Sequence, residues 1–494
     1  MKFPLESDPF APVEVTPERI AELESLARVV VNETIAEWEH FVHVQNREVD
    51  KKRWKPTKTR ENMTVYKDMH HAKSDPVPVY PGTPSTVGSD EANRGLRLLG
   101  VGSIVGSFDD FMLGNTTLTV DEMRIRRSYS DDECVDYRVL NVWRRPTIDE
   151  PFQFHCLRWY VKAVPGANAI VKPRDLVLLD CQGVMDMPDG ERLGYFLLHS
   201  VEVPECREIP GIIRCQLAAC YLFRPMGPNS VEVYLRSMVE PGGKIIDSVA
   251  TISSTNALIS TWKFPWVGQN KKLSWLMTQP TSVRSEMLGR KVGANSKPVR
   301  KDKCSLCTKS ITLLRRTTAC GLCLDTVCSR CVTVRKLSFI RRNGDLVQVP
   351  TTFCKNCIMW STKHDAYDTA RVLFVHEARG MQLATRNLSL GGRFSVLRDT
   401  TNTVDEDLAM LTEADLVGDA DALHIETADE WERRQQLGRR YSSTQSISSS
   451  GSGNSQELMW QQMNQLVLAA EQTYQMTQQN SEVMVQSMQL PPRP

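Results

Sequence analysis

Eight of the 14 cysteines in this chain fall between Cys304 and Cys357, as four Cys-x-x-Cys pairs: Cys304/Cys307, Cys320/Cys323, Cys328/Cys331 and Cys354/Cys357. A Cys-x-x-Cys turn aims two thiolates at one point, and two such turns complete the tetrahedron that zinc prefers. The pattern therefore predicts two Zn2+ ions. Sites closed by four sulfurs keep no position for water, so the metal serves folding and not catalysis. A stretch of about fifty residues with few large apolar side chains could not bury enough surface without it. A disulfide cluster would need an oxidising compartment, and Met1-Lys2-Phe3-Pro4-Leu5-Glu6-Ser7-Asp8-Pro9 lacks the apolar stretch of a secretory signal. A redox role would use one such pair on a strand–helix unit, not four in series. The other six cysteines, Cys134, Cys156, Cys181, Cys206, Cys215 and Cys220, read as small buried hydrophobes of a reducing cytosol.

The length, 494 residues, allows about three domains, or two with disordered sequence. Sixty Lys+Arg balance 59 Asp+Glu, a net charge of +1, which excludes a globally basic nucleic-acid binder. No apolar run approaches the roughly 18 residues of a spanning helix. The expected location is cytoplasmic, peripheral on endomembranes. No nucleophile–base pair stands at a recognisable spacing, and there is no phosphate loop and no His-Glu-x-x-His. His70-His71 is an isolated pair in a polar loop. The chain does not read as an enzyme.

Thr16-Pro17 is an N-cap with a first-turn proline, and Ile20, Leu23, Ala27, Val30, Val31, Thr34 and Trp38 follow at helical spacing. Residues from about 50 to 95 are polar and proline-containing, with Pro76-Val77-Pro78-Val79-Tyr80 extended, and read as loops. From about 100 to 240 the pattern is of strands. Val135, Tyr137, Val139, Asn141 and Trp143 alternate, as do Phe152, Phe154, Cys156, Arg158 and Tyr160. Leu176–Leu179, Tyr195–Leu198, Ile212–Phe223 and Val231–Val239 continue the series, with turns at Pro188-Asp189-Gly190 and Pro225-Met226-Gly227-Pro228. Strands in succession without helices between them imply an antiparallel meander. Beyond Gly242-Gly243, residues Ile245–Trp262 read as a helix. Helix, curved sheet and C-terminal helix is the order of a helix-grip fold. A curved sheet gripping a helix leaves an apolar tunnel, unless large side chains such as Trp143, Phe154, Trp159 and Tyr221 fill it.

Three segments resemble START lipid-transfer domains: Pro173-Arg174-Asp175-Leu176-Val177-Leu178, then Arg214 with Phe223-Arg224-Pro225-Met226-Gly227-Pro228-Asn229-Ser230, then Glu240-Pro241-Gly242-Gly243-Lys244-Ile245. The last has Glu where the family usually has Asp. The resemblance implies a START-like helix-grip domain over residues 1–290 that encloses a lipid of unspecified class.

Within the cysteine array, twelve residues separate Cys307 from Cys320 and four separate Cys323 from Cys328. A RING would usually place a His near the fourth ligand with a shorter interval, which disfavours a ubiquitin ligase. The array resembles a FYVE-type finger over residues 298–362. That resemblance implies a cross-brace, with Cys304, Cys307, Cys328 and Cys331 on one zinc and Cys320, Cys323, Cys354 and Cys357 on the other. The family's headgroup motif for phosphatidylinositol 3-phosphate is altered here. Arg315-Arg316 remain before Cys320, but both histidines and the arginines near Cys323 and Cys354 are gone. Ile311, Leu313, Leu314, Arg315 and Arg316 still form an apolar tip over a basic collar, a weak contact for anionic membranes at about 1 kcal/mol per cation. Arg335, Lys336, Arg341 and Arg342 extend the basic surface.

Residues 363–455 read as an acidic and Ser-rich linker, mostly disordered: from Asp405 to Glu432 no Lys or Arg interrupts the acidic series, and Ser442–Ser455 is Ser/Gly-rich. Ser442 follows Arg439-Arg440-Tyr441, which suits a basophilic kinase. Residues 456–489 carry Met459, Met463, Leu466, Ala470 and Thr473 at helical spacing, a stripe that Thr477 and Asn480 then weaken; they read either as a short helix or coiled coil for protein partners or as frayed, disordered chain. The fold class is α+β: a helix-grip domain, a two-zinc finger and a largely disordered tail. The expected function is a lipid-binding or lipid-transfer adaptor, with a protein-interaction scaffold as the alternative.

Overall fold

Thr16 caps the first helix through a hydrogen bond from Arg19 N, and α1 (Pro17–His43) buries Leu23, Leu26, Ala27, Val30, Val31, Thr34, Trp38, Phe41 and Val42 along one stripe. The structure, a computed structural model, describes residues 2–69, 95–130, 133–163, 171–289, 303–310, 317–341 and 343–374. These lie within one unit, Met1–Ala414.

After α1 come β1 (Trp54–Arg60), β2 (Asn62–Asp68), β3 (Leu96–Val105), α2 (Phe108–Asn115), α3 (Val120–Ser130) and β4 (Cys134–Arg144). Then follow β5 (Phe154–Lys162), β6 (Arg174–Asp186), β7 (Arg192–Ser200), the short β8 (Ile213–Arg214), β9 (Gln216–Pro225), β10 (Ser230–Glu240) and α4 (Asp247–Ile259). The strands form one sheet in the order β1-β2-β3-β10-β9-β7-β6-β5-β4, with β8 alongside β6. Every pairing is antiparallel except β6/β8.

Both edges of this sheet reach α4. From β1, Thr57 Oγ1 lies 3.2 Å from Thr255 Oγ1 and Lys58 bonds Asn256. At the start of β4, Glu133 accepts from Ser253 Oγ at 2.7 Å and from Asn256 Nδ2 at 3.1 Å. A sheet whose two edges bond one helix is curled around it. Register shifts in β1/β2 and three in β4/β5 supply bends of the kind that bulges give. The helix-grip arrangement expected from the sequence is thus present as a large antiparallel sheet with helices.

Alternation splits the side chains into two layers. Trp159, Leu157, Leu179, Leu197 and Leu222 pack outward against α1. Phe154, Cys156, Tyr160, Leu178, Phe196, Tyr221 and Phe223 face inward, with α2 and α4. Of the four side chains large enough to fill the interior, Phe154 and Tyr221 point in, whereas Trp143 and Trp159 pack on the outer face. The shifts in β4 break the strict alternation that the sequence implied there.

Three stretches differ from expectation. Residues 54–68, read as loops, are the β1–β2 hairpin; its polar, Lys- and Pro-bearing outer strand suits an edge. Helices α2 and α3 interrupt the run read as strands. Nearly all of α2 is buried, so it has no polar face to announce it. The C-terminal helix does not stop at Trp262. A 3-10 turn (Ser260–Lys263) leads into α5 (Phe264–Thr278).

Helices α2 and α5 touch backbone to backbone. A Cβ on Gly268 would stand 2.0 Å from Asp110 O, and one on Gly114 would stand 2.0 Å from Phe264 O. Asp175, Arg214 and Pro241–Gly243, from the stretches that resemble START domains, meet at one corner, while Phe223–Ser230 lies at the far end of β9. Arg214 holds Asp175 through two bonds of 3.0 Å, and Arg174 Nε donates to Pro241 O at 3.1 Å. Gly242 and Gly243 have φ of +63° and +58°, and Gly242 turns against Arg214 O, where a Cβ would lie 2.5 Å away. These residues join β6, β8 and the approach to α4; they are a clamp and not a ligand site.

Candidate functional site

The cysteine array folds into two hairpins and a helix: β11 (Thr317–Ala319) with β12 (Thr326–Cys328), β13 (Val332–Ile340) with β14 (Leu346–Cys354), then α7 (Lys355–Lys363), which follows the short α6 (Thr281–Met287) in chain order. Cys304, Cys307, Cys328 and Cys331 form one group and Cys320, Cys323, Cys354 and Cys357 the other, each with all sulfurs within 4.8 Å of one another. This is the interleaved grouping. Cys307 Sγ and Cys328 Sγ are 3.7 Å apart, and Cys323 Sγ and Cys354 Sγ 3.8 Å. Zinc–sulfur bonds of about 2.3 Å give tetrahedral edges of roughly 3.8 Å. Backbone N–H groups supply the second layer, Cys328 N to Cys304 Sγ at 3.4 Å and Cys354 N to Cys320 Sγ at 3.3 Å. Burial opposes ionisation of Cys304, but amide donors including those of Cys307 and Cys328 bring the thiol down to about 6. Two groups of four thiolates with charge-stabilising amides fit one divalent soft-ligand metal each.

The six scattered cysteines are all buried. Burial pushes the Cys156, Cys206, Cys215 and Cys220 thiols up to about 12, which keeps them protonated and inert.

The cysteine module is docked on α5. Leu273 and Leu276 of α5 belong to the module's core, with Leu322, Val327, Leu337 and Phe353. On the neighbouring side, Arg335 of β13 lies with its guanidinium 3.5 Å from the centre of the Trp266 ring and donates to Asn270 Oδ1 at 3.3 Å. Burial lowers its pKa to about 10. Arg335 is therefore part of the joint and not of a basic surface, while Lys336 and Arg341 are exposed. Ser338 N donates to Tyr129 OH at 2.7 Å, and Gln348 Nε2 to Ser128 O at 3.1 Å, which ties β13–β14 to α3.

Lys272 sits at the centre of this joint, fully buried. Its Nζ lies 2.6 Å from Asp110 Oδ1 of α2 and donates to His364 O, just past α7, at 2.8 Å. Burial raises the Asp110 carboxyl from 3.8 to about 6, against the opposing pull of Lys272 and of hydrogen bonds with Ser107 and Gln269. The folded chain then holds this proton more tightly than the unfolded one. The contribution of Asp110 to stability is greatest below pH 4 and declines as the pH rises towards 6. Denaturant midpoints measured from pH 4 to pH 7 should show this decline in the native chain and lose it in Asp110→Asn. An identical slope in both would refute the assignment.

Among the described residues, the concave interior holds a charged cluster centred on Arg158. Arg158 projects from β5 between Cys156 and Tyr160, 3.2 Å from Asp180 of β6, and bonds Thr117 through its Oγ1 at 3.1 Å and through its carbonyl. Tyr160 OH donates to Asp180 Oδ2 at 2.9 Å. Gln182 Nε2 donates to Thr116 Oγ1 at 2.6 Å and its Oε1 accepts from Asn115 Nδ2 at 3.0 Å. Arg158 Nε has no hydrogen-bond partner among the described residues. Along the inner core Val142, Val184, Leu198, Leu217 and Trp262 are only partly buried, and α4 fully buries only Ala250, Thr255, Leu258 and Ile259. Sequence reading passed over this cluster. Its signal was a charged residue at an inward position of the Phe154–Cys156–Tyr160 alternation.

Ile311, Leu313, Leu314, Arg315 and Arg316 lie outside the described residues, as do Arg342, His70-His71, the tract 405–432, Ser442 and residues 456–489. Among the described residues no helix is long and apolar enough to cross a membrane. Residues 366–374, counted with the linker, are helical, and bury Ala366, Ala370 and Phe374.

No family model and no curated protein matches this chain. Among solved structures, human STARD10 is similar over 46% of this chain and 79% of its own, at 14% identity and a TM-score of 0.30. Human StAR-related lipid transfer protein 5 is similar over 49% and 96%, at 17% identity and 0.32. The human StarD13 (DLC2) lipid transfer and protein localization domain is similar over 46% and 96%, at 13% identity and 0.29.

Proposed function

We propose that the chain is a non-enzymatic lipid-binding or lipid-transfer adaptor. Its START-like domain encloses an apolar ligand against the concave face of the sheet. Its FYVE-related finger carries two structural Zn2+ on the eight cysteines and gives contact with anionic membranes or proteins, through the tip Ile311–Arg316 and the segment 456–489. The protein is then cytoplasmic and peripheral on endomembranes.

One observation carries the ligand reading. The buried Arg158 guanidinium, paired with Asp180 and Thr117, keeps one donor, Nε, without an acceptor among the described residues. Buried donors are as a rule satisfied, so the site suits a molecule with an oxygen at one end and a hydrocarbon body along Leu198, Leu217 and the inner face of α4. The scaffold reading draws on a different observation. Phe196, Tyr221 and Phe223 stack in series, Phe111 stands 4.2 Å from Phe223, and these rings occupy much of the concave face.

Native mass spectrometry of the full chain from a eukaryotic host, with lipid extraction, separates the two. A stoichiometric co-purified lipid is expected. The double variant Arg158→Met/Asp180→Leu should fold with little loss, because replacing both members of a buried ion pair with apolar groups is often near neutral, and should carry at least about tenfold less lipid. A folded native chain that takes up nothing from mixed liposomes would leave the scaffold.

A further inference from the structure

We infer that the zinc finger closes one end of the concave interior, so that metal occupancy and retention of an apolar ligand are coupled. The closure rests on the contacts of residues 366–374; the metal and the ligand rest on the function proposed above.

The closing element is the helical run 366–374. Ala366, Ala370 and Phe374 recur every fourth residue and are buried in the same cluster as Phe108, Phe111, Phe152 and Phe154. Tyr367 meets Phe152 edge-on at 5.5 Å, and its hydroxyl donates to Asp149 O. Arg371 Nε donates to Ile148 O at 2.9 Å. Arg192 spans Tyr367 and Phe108, at 5.6 Å and 4.9 Å from the ring centres. These partners share one end of the curled sheet: the β4–β5 connection, the first residue of β7 and the start of α2. Helix 366–374 is therefore an end wall, set beside α2.

The wall is held from its N-terminal side. Cys354 caps α7 and Cys357 lies within it, so both anchor α7 to the second thiolate group. Past α7, His364 stacks on Trp360 at 4.4 Å, and its carbonyl takes the Lys272 ammonium that also pairs with Asp110. A bound metal would be held by Cys354 and Cys357 with Cys320 and Cys323; those two residues anchor α7, and α7 leads through His364 into 366–374. From α7 to the interior the path is one of packed and bonded contacts, as coupling requires. By reciprocity, a ligand that needs the wall must tighten metal binding by the same factor.

The test uses the full chain, zinc-loaded and after treatment with a zinc chelator, with hydrogen exchange and release of an anthroyloxy-labelled stearate as readouts. Chelation should raise exchange in residues 108–118 and 146–158 by about tenfold or more, while α1, on the opposite face, changes little. Should chelation unfold the domain, Phe374→Ala and Arg371→Ala serve instead. Each should keep two zinc ions per chain and still speed both exchange at this end and probe release by about tenfold. Unchanged exchange in the variants and after chelation would overturn the inference. A chain that shows the exchange changes but never takes up the probe would support the closure and refute the lipid reading; uptake with release unaffected by Phe374→Ala would do the reverse.

Discussion

If the two thiolate groups hold zinc as proposed, replacing Cys320 with Ser is expected to remove one metal ion per chain and to unfold the cysteine module, whereas replacing Cys156 with Ser leaves the metal content at two. Cys320 is fully buried, and its sulfur joins Cys323, Cys354 and Cys357 while accepting from Cys354 N. Structural zinc contributes about 10–16 kcal/mol in small modules, and a serine hydroxyl is a poor substitute for a thiolate. The damage should spread beyond the finger, because Leu273 and Leu276 lose their cover. Metal analysis after exhaustive dialysis, with thermal unfolding followed in parallel, reads both effects. A Cys320→Ser chain that retains two zincs and its melting temperature would show that the thiolate group is not a metal centre. Cys156, packed between β5 neighbours in the concave core, should cost about 1–3 kcal/mol as a buried hydroxyl and nothing in metal.

Gly268→Ala should be as damaging with no metal or ligand involved. The added methyl would stand 2.0 Å from Asp110 O, a distance no rotamer relieves, because both parties are backbone or fixed to it. Helices α2 and α5 must separate. Lys271 then loses its bonds to Leu113 O at 3.1 Å and Thr116 O at 2.6 Å, and Lys272 is drawn off Asp110. Overpacking combined with a strained buried ion pair puts the loss at about 4 kcal/mol or more, on the order of 10 °C in melting temperature for a domain this size. Gly190→Ala is the comparison. Its φ is +82° and nothing lies within 4 Å of the added carbon, so only backbone strain of about 1–2 kcal/mol is at stake. If Gly268→Ala melted no earlier than Gly190→Ala, the close crossing of α2 and α5 would be wrong.

These two variants mark what can and cannot be read from a sequence like this one. The thiolates were legible because ligand spacing is local: two sulfurs three residues apart share a site whatever the rest of the chain does. Helix α1 and strands β5 to β10 were legible because burial imposes a period of 3.6 or 2 on their side chains. The β1–β2 hairpin was not, since only Met63, Val65 and Asp68 of its second strand are fully buried and its first strand, apart from Trp54 and Pro56, is polar. Helix α2 failed for the opposite reason, being buried on nearly every side. The centre of α5 was opaque for a third. Asn270, Lys271 and Lys272 look like a solvated face, and only the fold supplies the carbonyls of Leu113, Thr116 and His364 that make their burial tolerable. Arg335 misled in the same way until Trp266 appeared beneath it. The segments that resemble START domains reported the Asp175–Arg214 corner, and so spoke for architecture. Arg158, in no such segment, is the residue that faces the interior.

Helix α5 has one side in the concave core through Phe264 and another in the finger's core through Leu273 and Leu276. Adding a single residue to its middle would swing everything beyond by about 100° and advance it by about 1.5 Å. The finger would then face away from β13's seat, and 366–374 would miss the interior. Such a length change, harmless in an ordinary linker, is forbidden here. The two modules should therefore be inherited with the spacing between them held constant, and neither should be transplantable as a cassette cut at residue 290.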